Sequence, residues 1–219
     1  MEHPCFLEAA RRTAAETGVA LSAHTNPWSA LVSGAAKACA VFESDGRAYL
    51  VVTATTPPAK PLSPLARQAL EGLLCGEQQK VLASDLKLST SSICRYCRLA
   101  LAHMGLEGPP SRAPMLLAML ALAARDRCDP ALVREARFEH DGRSFSVYSA
   151  APRAPGSSAR LSPGVQAVVE LRVAGRSLTE IAQQRRTSER TVANQLACAF
   201  QRLGVSGRGS LVAYLAVNG

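Results

Sequence analysis

Eight residues of this chain, Phe42-Glu43-Ser44-Asp45-Gly46-Arg47-Ala48-Tyr49, return 96 positions later as Phe138-Glu139-His140-Asp141-Gly142-Arg143-Ser144-Phe145. Leu62-Ser63-Pro64 returns 99 positions later as Leu161-Ser162-Pro163, and that offset still holds where Met104-Gly105-Leu106 meets Leu203-Gly204-Val205. Self-similarity at a fixed spacing restricts a chain to folds that use one supersecondary unit more than once. The sequence reads as a tandem duplication.

Each unit opens with apolar positions alternating around an Asp-Gly pair, the strongest short-range signal for a tight β-hairpin. Strands are expected over 38–44 and 47–54, and again over 136–140 and 143–149. Pro57, Pro58 and Pro61 follow the first hairpin and Pro152 to Ser158 the second, which reads as short stiff joints. Serine then precedes proline: serine caps a helix N-terminus, and proline fits a first helical turn because it has no amide hydrogen to lose there. Helices are expected to begin at Ser63 and Ser162. In the second unit Val165, Val168, Val169, Leu171 and Val173 form an apolar set that stops at Gly175. Thr179 to Arg186, a helix capped by Ser188 and reaching Leu203, and Ser210 to Val217 complete four short helices. The first unit runs in parallel: Pro64 to Cys75, Gln78 to Leu86, Ser89 to Met104, and Ser111 to Ala124. Residues 4–17 add an amphipathic helix ahead of the first hairpin, and Pro27 to Val32 adds one turn.

The expected fold class is mainly α with β-hairpins, an α+β arrangement of two duplicated units, each a hairpin followed by a four-helix bundle. The boundaries fall at 1–36 for an N-terminal helical segment and 37–125 for the first hairpin and helical unit. The second hairpin and its joint take 126–160, and the last helical unit 161–219.

A chain of 219 residues with 47% apolar and 19% charged positions has the composition of a folded globular protein. Its most apolar run, Met115 to Ala124, falls short of the roughly 18 to 20 residues a bilayer span needs, and Arg125, Asp126 and Arg127 end it. That run reads as a helix packed between the two units or as a dimer face. Glu2, Glu8 and Glu16 early in the chain, with no basic start before an apolar run, speak against a secretory signal, so the expected location is the cytoplasm. Seven scattered cysteines give no disulfide framework, and Cys94-x-x-Cys97 lies within an expected helix without a second pair, so no metal or redox site is expected. His3, His24, His103 and His140 are isolated, and each Asp-Gly aspartate is a turn residue. The sequence contains no catalytic constellation, and neither an enzyme nor a cofactor is expected. Lys plus Arg number 25 against 17 Asp plus Glu, a net charge of +8 that suits a polyanionic partner.

Val192, Leu196, Phe200 and Leu203 recur at helical spacing, so one face of the third helix of the second unit is buried. The opposite face offers Arg190, Ala193, Asn194, Ala197 and Gln201, with Arg202 and Arg208 beyond. Small side chains permit close approach to base pairs, and amide or guanidinium groups fit base edges. Residues 161–215, with Leu161-Ser162-Pro163, Glu180-Ile181-Ala182, Ser188-Glu189-Arg190-Thr191-Val192-Ala193-Asn194-Gln195-Leu196 and Arg202-Leu203-Gly204-Val205, resemble the LuxR-type (GerE-like) helix-turn-helix domain. The first unit is similar through Leu82-Ala83, Leu88-Ser89-Thr90-Ser91-Ser92-Ile93 and Met104-Gly105-Leu106. The tandem form also resembles LuxR-like regulators of myxobacteria.

The resemblance implies a transcription regulator whose third helix enters the major groove of double-stranded DNA. It places the base-facing positions at Ala193, Asn194 and Ala197, and at Cys94, Arg95 and Arg98 in the first unit. Phosphate contacts are then implied for Arg186, Arg190 and Arg202, with Ser188 and Thr191 at the helix start, and for Lys87 and Ser91 in the first unit. The chain departs from the family pattern in several places. Val165 and Ala66 replace a usual acid, Ala193 a usual lysine, and Arg185 and Thr187 stand where apolar residues are common. The last of these predicts a loosely packed turn unless Arg185 extends to solvent. Pro109 and Pro110 lengthen the first unit before its fourth helix. Residues 160–219 carry eight Arg against three Glu, the stronger phosphate-binding balance of the two units.

Two functions of different class follow. In the first, the chain reads DNA, with the first unit a second reader or a pairing module, as a homodimer or as a pseudo-dimer within one chain. In the second, it is a protein-interaction adaptor with a degenerate LuxR-like fold that sequesters another regulator, and Ala193 and Ala197, lacking charged tips, favour it. No membrane partner is expected.

Overall fold

The computed structural model describes residues 4–22, 25–106, 114–125, 127–151 and 161–218. Helix α1 (Pro4–Thr17) is followed by a two-residue strand β1 (Val19–Ala20) and a short helix α2 (Trp28–Ser33). The first hairpin is β2 (Ala36–Ser44) and β3 (Arg47–Ala54), and four helices come next: α3 (Pro64–Leu74), α4 (Gln79–Asp85), α5 (Thr90–His103) and α6 (Pro114–Ala123). The second hairpin, β4 (Arg134–His140) and β5 (Arg143–Ala150), leads to α7 (Pro163–Val173), α8 (Leu178–Gln184), α9 (Glu189–Leu203) and α10 (Arg208–Asn218). The expected elements are present with ends displaced by two residues or fewer wherever they fall on described residues. The joint Pro152 to Ser158, the helix start at Ser111 and the Pro109-Pro110 insertion lie outside the described residues.

Both hairpin turns hold Asp and Gly at positive φ, 50° and 69° at Asp45 and Gly46, 49° and 70° at Asp141 and Gly142. Positive φ at both central residues is what a type I′ turn requires, and its twist matches that of the flanking strands. The two hairpins do not stand apart. They join edge to edge into one antiparallel five-stranded sheet, order β1-β4-β5-β3-β2. The central pairing sets Leu50 opposite Tyr148, Val51 opposite Val147, and Val52 opposite Ser146.

Alternation along the strands then divides the core in two. Ala40, Tyr49, Val51, Ala136 and Val147 point to one face, where Ala10 and Ala14 of α1 cover them. Phe6 of α1 completes this layer, with ring centroids 5.6 Å from Phe138 and 5.0 Å from Phe145. Arg11 anchors the helix to the first turn through Asp45 at 2.7 Å. Leu50, Val52, Tyr148 and Ala150 point to the other face and belong to a cluster that continues through all the remaining helices as far as Ala216. Helix α6 is the centre of that cluster. Every side chain from Leu116 to Ala123 is buried, against β3 and β5, α3 and α10.

Residues of the first helical unit meet both the sheet and the second unit at close range. The Ala38 amide donates to the Met104 carbonyl at 2.7 Å, and Gly105, at φ 81°, lies so near that a Cβ there would stand 2.4 Å from the Ala38 oxygen. Gly76, at φ 87°, lies against α10, where a Cβ would meet Ser210 Cα at 2.9 Å. Helix α2 wedges Trp28 between α3 and α6: the indole donates to Glu71 at 2.9 Å, and Asn26 donates to the Leu120 carbonyl at 2.9 Å. The Pro57-to-Pro61 joint is pinned to α2, with Ala59 donating to Gly34 and Leu62 to Val32.

Candidate nucleic-acid interface

The turn that leads into α9 is built from short-range hydrogen bonds. Ser177 caps α8 reciprocally with Glu180, a capping box in which each side chain accepts from the other residue's amide. After α8 the Thr187 amide returns to the Ala182 carbonyl, which forces Arg186 into the left-handed region at φ 51°. Ser188 then caps α9, accepting from the Thr191 amide at 3.1 Å, and the two hydroxyls share a further bond at 2.9 Å. Thr179 donates to Glu189 at 2.8 Å, so the start of α8 is tied to the start of α9.

The first unit has the same construction. Lys87 is left-handed at φ 54°, and Ser89 caps α5 by accepting from the Ser92 amide at 3.1 Å. On α9 the buried residues are Val192, Leu196, Ala199 and Leu203; on α5 and just beyond it they are Ile93, Cys97, Ala100, Leu101 and Met104, all but Leu101 at positions matching those on α9. Phe200 is only half-buried, and Ala199 completes the inward stripe.

Ala193, Asn194 and Ala197 are exposed together on α9, beside Arg190, Thr191 and Gln201, with Arg202 exposed in the last turn. Cys94, Arg95 and Arg98 are exposed together on α5, beside Ser91. Arg186 and Lys87 are exposed at the two turns. Among the described residues none of Arg95, Arg98, Arg186 and Arg190 forms an ion pair. Ser188 and Thr191 lie at the expected place, but the cap already engages both hydroxyls, and what they still offer a phosphate is an uncovered helix start.

Four features of this surface were not evident from the sequence. Arg185 does not reach out to solvent: it is half-buried, and its Nε is shielded with no hydrogen-bond partner among the described residues, as is Oε1 of Gln195. Both side chains flank Gly164, with Arg185 Nη2 and Gln195 Nε2 each 3.7 Å from where a Cβ would lie. The expected Ser162 cap on α7 makes no side-chain hydrogen bond. At the start of α10, Arg208 is half-buried beside Arg172, and burial first, then that neighbouring charge, lowers its pKa. Only the arginine count of residues 160–219 hinted at such crowding. Helix α10 starts ahead of the expected Ser210 because the Ser210 hydroxyl accepts from the Ser206 and Gly207 amides at 3.0 and 3.1 Å, capping the helix from inside.

Other chemistry has little support in this geometry. Cys94 is exposed, whereas Cys97 is buried and its thiol is pushed up to about 11 by that burial, so the pair does not share an electropositive pocket that would activate it. Among the described residues no cluster of three or more His, Cys, Asp or Glu side chains could hold a metal ion. A groove of about 800 Å3 lies between α2 and strands β3, β4 and β5, lined by Asn26, Arg137, Ser144, Ser146 and Tyr148 among others, and none of the α5 or α9 residues above contributes to it. No helix among the described residues is long and apolar enough to cross a membrane. Comparison with protein-family models, curated proteins and solved structures finds no match to this chain.

Proposed function

We propose that this chain is a transcription regulator that binds double-stranded DNA sequence-specifically, with α9 in the major groove and a LuxR-like helix-turn-helix formed by α8 and α9. The observation that carries this reading is the division of α9 into two faces. Val192, Leu196, Ala199 and Leu203 fix the helix from within, while Ala193, Asn194 and Ala197 stand exposed with nothing packed over them. A reading helix needs small residues that let its backbone approach the bases and an amide able to bond adenine N6 and N7. Arg186 and Arg190 flank that face without acidic partners among the described residues, as phosphate contacts require, and fix register without themselves reading sequence.

Selection of genomic fragments by the purified protein at about 0.15 M salt tests the reading, since non-specific phosphate binding is already weakened there. An enriched motif is expected, and Asn194→Ala should reduce affinity for that motif by about 1 to 3 kcal/mol while leaving non-specific binding unchanged. Failure to enrich any sequence refutes DNA reading and leaves the adaptor as the surviving alternative.

A further inference from the structure

We infer that the DNA site of this chain is bipartite and asymmetric: one half is read by Ala193, Asn194 and Ala197 on α9, the other by Cys94, Arg95 and Arg98 on α5, both within a single chain. The inference rests on the DNA-reading function proposed above and goes beyond it, because that reading leaves the first unit as either a reader or a pairing module.

The two reading faces correspond residue for residue. Five positions of α5, Ser91, Cys94, Arg95, Arg98 and Ala102, are exposed, and the residues 99 positions later, Arg190, Ala193, Asn194, Ala197 and Gln201, are exposed on α9. Four inward positions correspond as well, Ile93, Cys97, Ala100 and Met104 with Val192, Leu196, Ala199 and Leu203, so both helices are held in a similar rotational setting on their own bundles.

The two units are also bound into one body. Strands β3 and β5 occupy equivalent places in the repeat and pair antiparallel, with Val51 opposite Val147, its own counterpart 96 positions later. This is how two identical subunits meet across a two-fold axis, each presenting the same strand to the other. The helices add a second junction, with α10 packed on α6 and α3 and the buried cluster continuous across it. The separation of the two heads is thus set within the chain, and the pairing that other readers obtain from a second subunit is already present. Linking two readers makes the second contact intramolecular and raises its effective concentration.

The chemistry of the two faces differs, which is why the site must be asymmetric. Arg95 and Arg98 present two guanidinium groups without ionic partners among the described residues, and arginine bonds guanine O6 and N7 in a bidentate fashion. Asn194 presents one amide suited to adenine, between Ala193 and Ala197, whose methyl groups suit contact with thymine methyls. Identical heads related by a two-fold axis would read a palindrome; these heads cannot read the same bases.

The full chain is to be put through selection on randomised duplexes, with binding stoichiometry measured by sedimentation on the selected site. The expected motif has two unlike halves at fixed spacing, bound by one chain. The Arg95→Gln/Arg98→Gln variant should lose roughly 10-fold or more in affinity and base preference in the guanine-bearing half only, and Asn194→Ala in the adenine-bearing half only. All three residues are exposed, and thermal melts of the variants matching the parent will show that the fold is kept. A palindrome bound by two chains overturns the inference, and so does a single half-site that depends on Asn194 and ignores Arg95 and Arg98; either result leaves reading by α9 in place. Only the absence of any motif overturns both.

Discussion

Glu71 is the most informative residue to perturb for the fold, because its buried carboxylate joins three elements. Its side chain is 4% exposed and accepts from the Trp28 indole at 2.9 Å, from Arg67 at 2.8 Å and from Arg125 at 2.5 Å. Removing the carboxylate in Glu71→Ala leaves the Trp28 N–H buried without an acceptor, a loss of about 1 to 3 kcal/mol. The arginines differ from Trp28: at 52% and 39% exposure they turn toward water, and screening limits their share to about 1 kcal/mol. The total expected is about 2 to 4 kcal/mol, close to the range for breaking a buried ion pair by deleting one partner. Glu71→Gln keeps an acceptor for the indole and should lose only about half as much. Urea unfolding followed by far-ultraviolet circular dichroism measures both, and the midpoint should fall with the slope unchanged. In a cycle with Trp28→Phe, the double variant should be less destabilised than the sum of the singles by about 1 kcal/mol or more, because the orphaned donor is gone. A loss under about 0.5 kcal/mol in Glu71→Ala, or strict additivity in the cycle, would refute the view that this carboxylate holds α2 against α3 and α6.

The same network gives a pH dependence: burial alone would raise the pKa of Glu71, but the Trp28 and Arg67 hydrogen bonds and the Arg125 charge outweigh it and hold the carboxyl below its ordinary value of 4.5. A lowered folded pKa stabilises above the unfolded value and loses that stabilisation as pH falls through the folded one, so the stability gap between parent and Glu71→Gln should close below about pH 4.5 in paired urea titrations. Arg186→Gly relieves a left-handed arginine at φ 51°, so its melting temperature should match or exceed the parent's, while the slope of log affinity against log salt falls by about 1 on DNA titration. Leu120→Ala empties the centre of the shared cluster and should lower stability by about 2 to 5 kcal/mol, with both helical units melting in one calorimetric transition.

Local chemistry was legible in the sequence. The Asp-Gly turns at 45–46 and 141–142, the Ser-Pro starts of α3 and α7, and the Ser89 and Ser188 caps each depend on residues within a few positions of one another. The inward and outward faces of α9 were legible for the same reason, since helical spacing alone sorts Val192 and Leu196 from Ala193 and Asn194. What escaped was non-local. Nothing in the residues of β3 names β5 as its neighbour across nearly a hundred positions, because β-propensity reports fit to a pleated surface without specifying a partner. Strand β1 is two residues long and exists only because the Val19 and Ala20 backbone meets β4. The Trp28 contact to Glu71 spans 43 residues and carries no motif. Arg185 stood out as a polar residue at an apolar place, yet its inward course depends on Gly164 leaving room, which sequence spacing does not reveal.

The unequal treatment of the two fourth helices bears on why the units differ. Helix α6 has no side chain from Leu116 to Ala123 facing water, whereas α10 ends in two exposed residues, Val217 and Asn218. The first unit therefore supplies the floor of the molecule: its α6 supports the sheet and its α3 receives α10. Substitution in α6 or on the inner side of α3 disturbs packing shared by the whole chain. Substitution at Arg95 or Arg98 disturbs no core contact, since both are exposed on a helix whose inner positions, Ile93, Cys97 and Ala100, secure it independently, whereas the Cys94 sulfur accepts from the Gln79 side-chain amide of α4 at 2.7 Å. Packing thus constrains the body of the first unit closely and its outward α5 face hardly at all. Arg95 and Arg98 stand exposed on that face, and among the described residues neither forms an ion pair. A DNA surface with guanine edges would satisfy both guanidinium forks, which is the physical case for the proposal that α5 is a reading helix rather than a relic of packing.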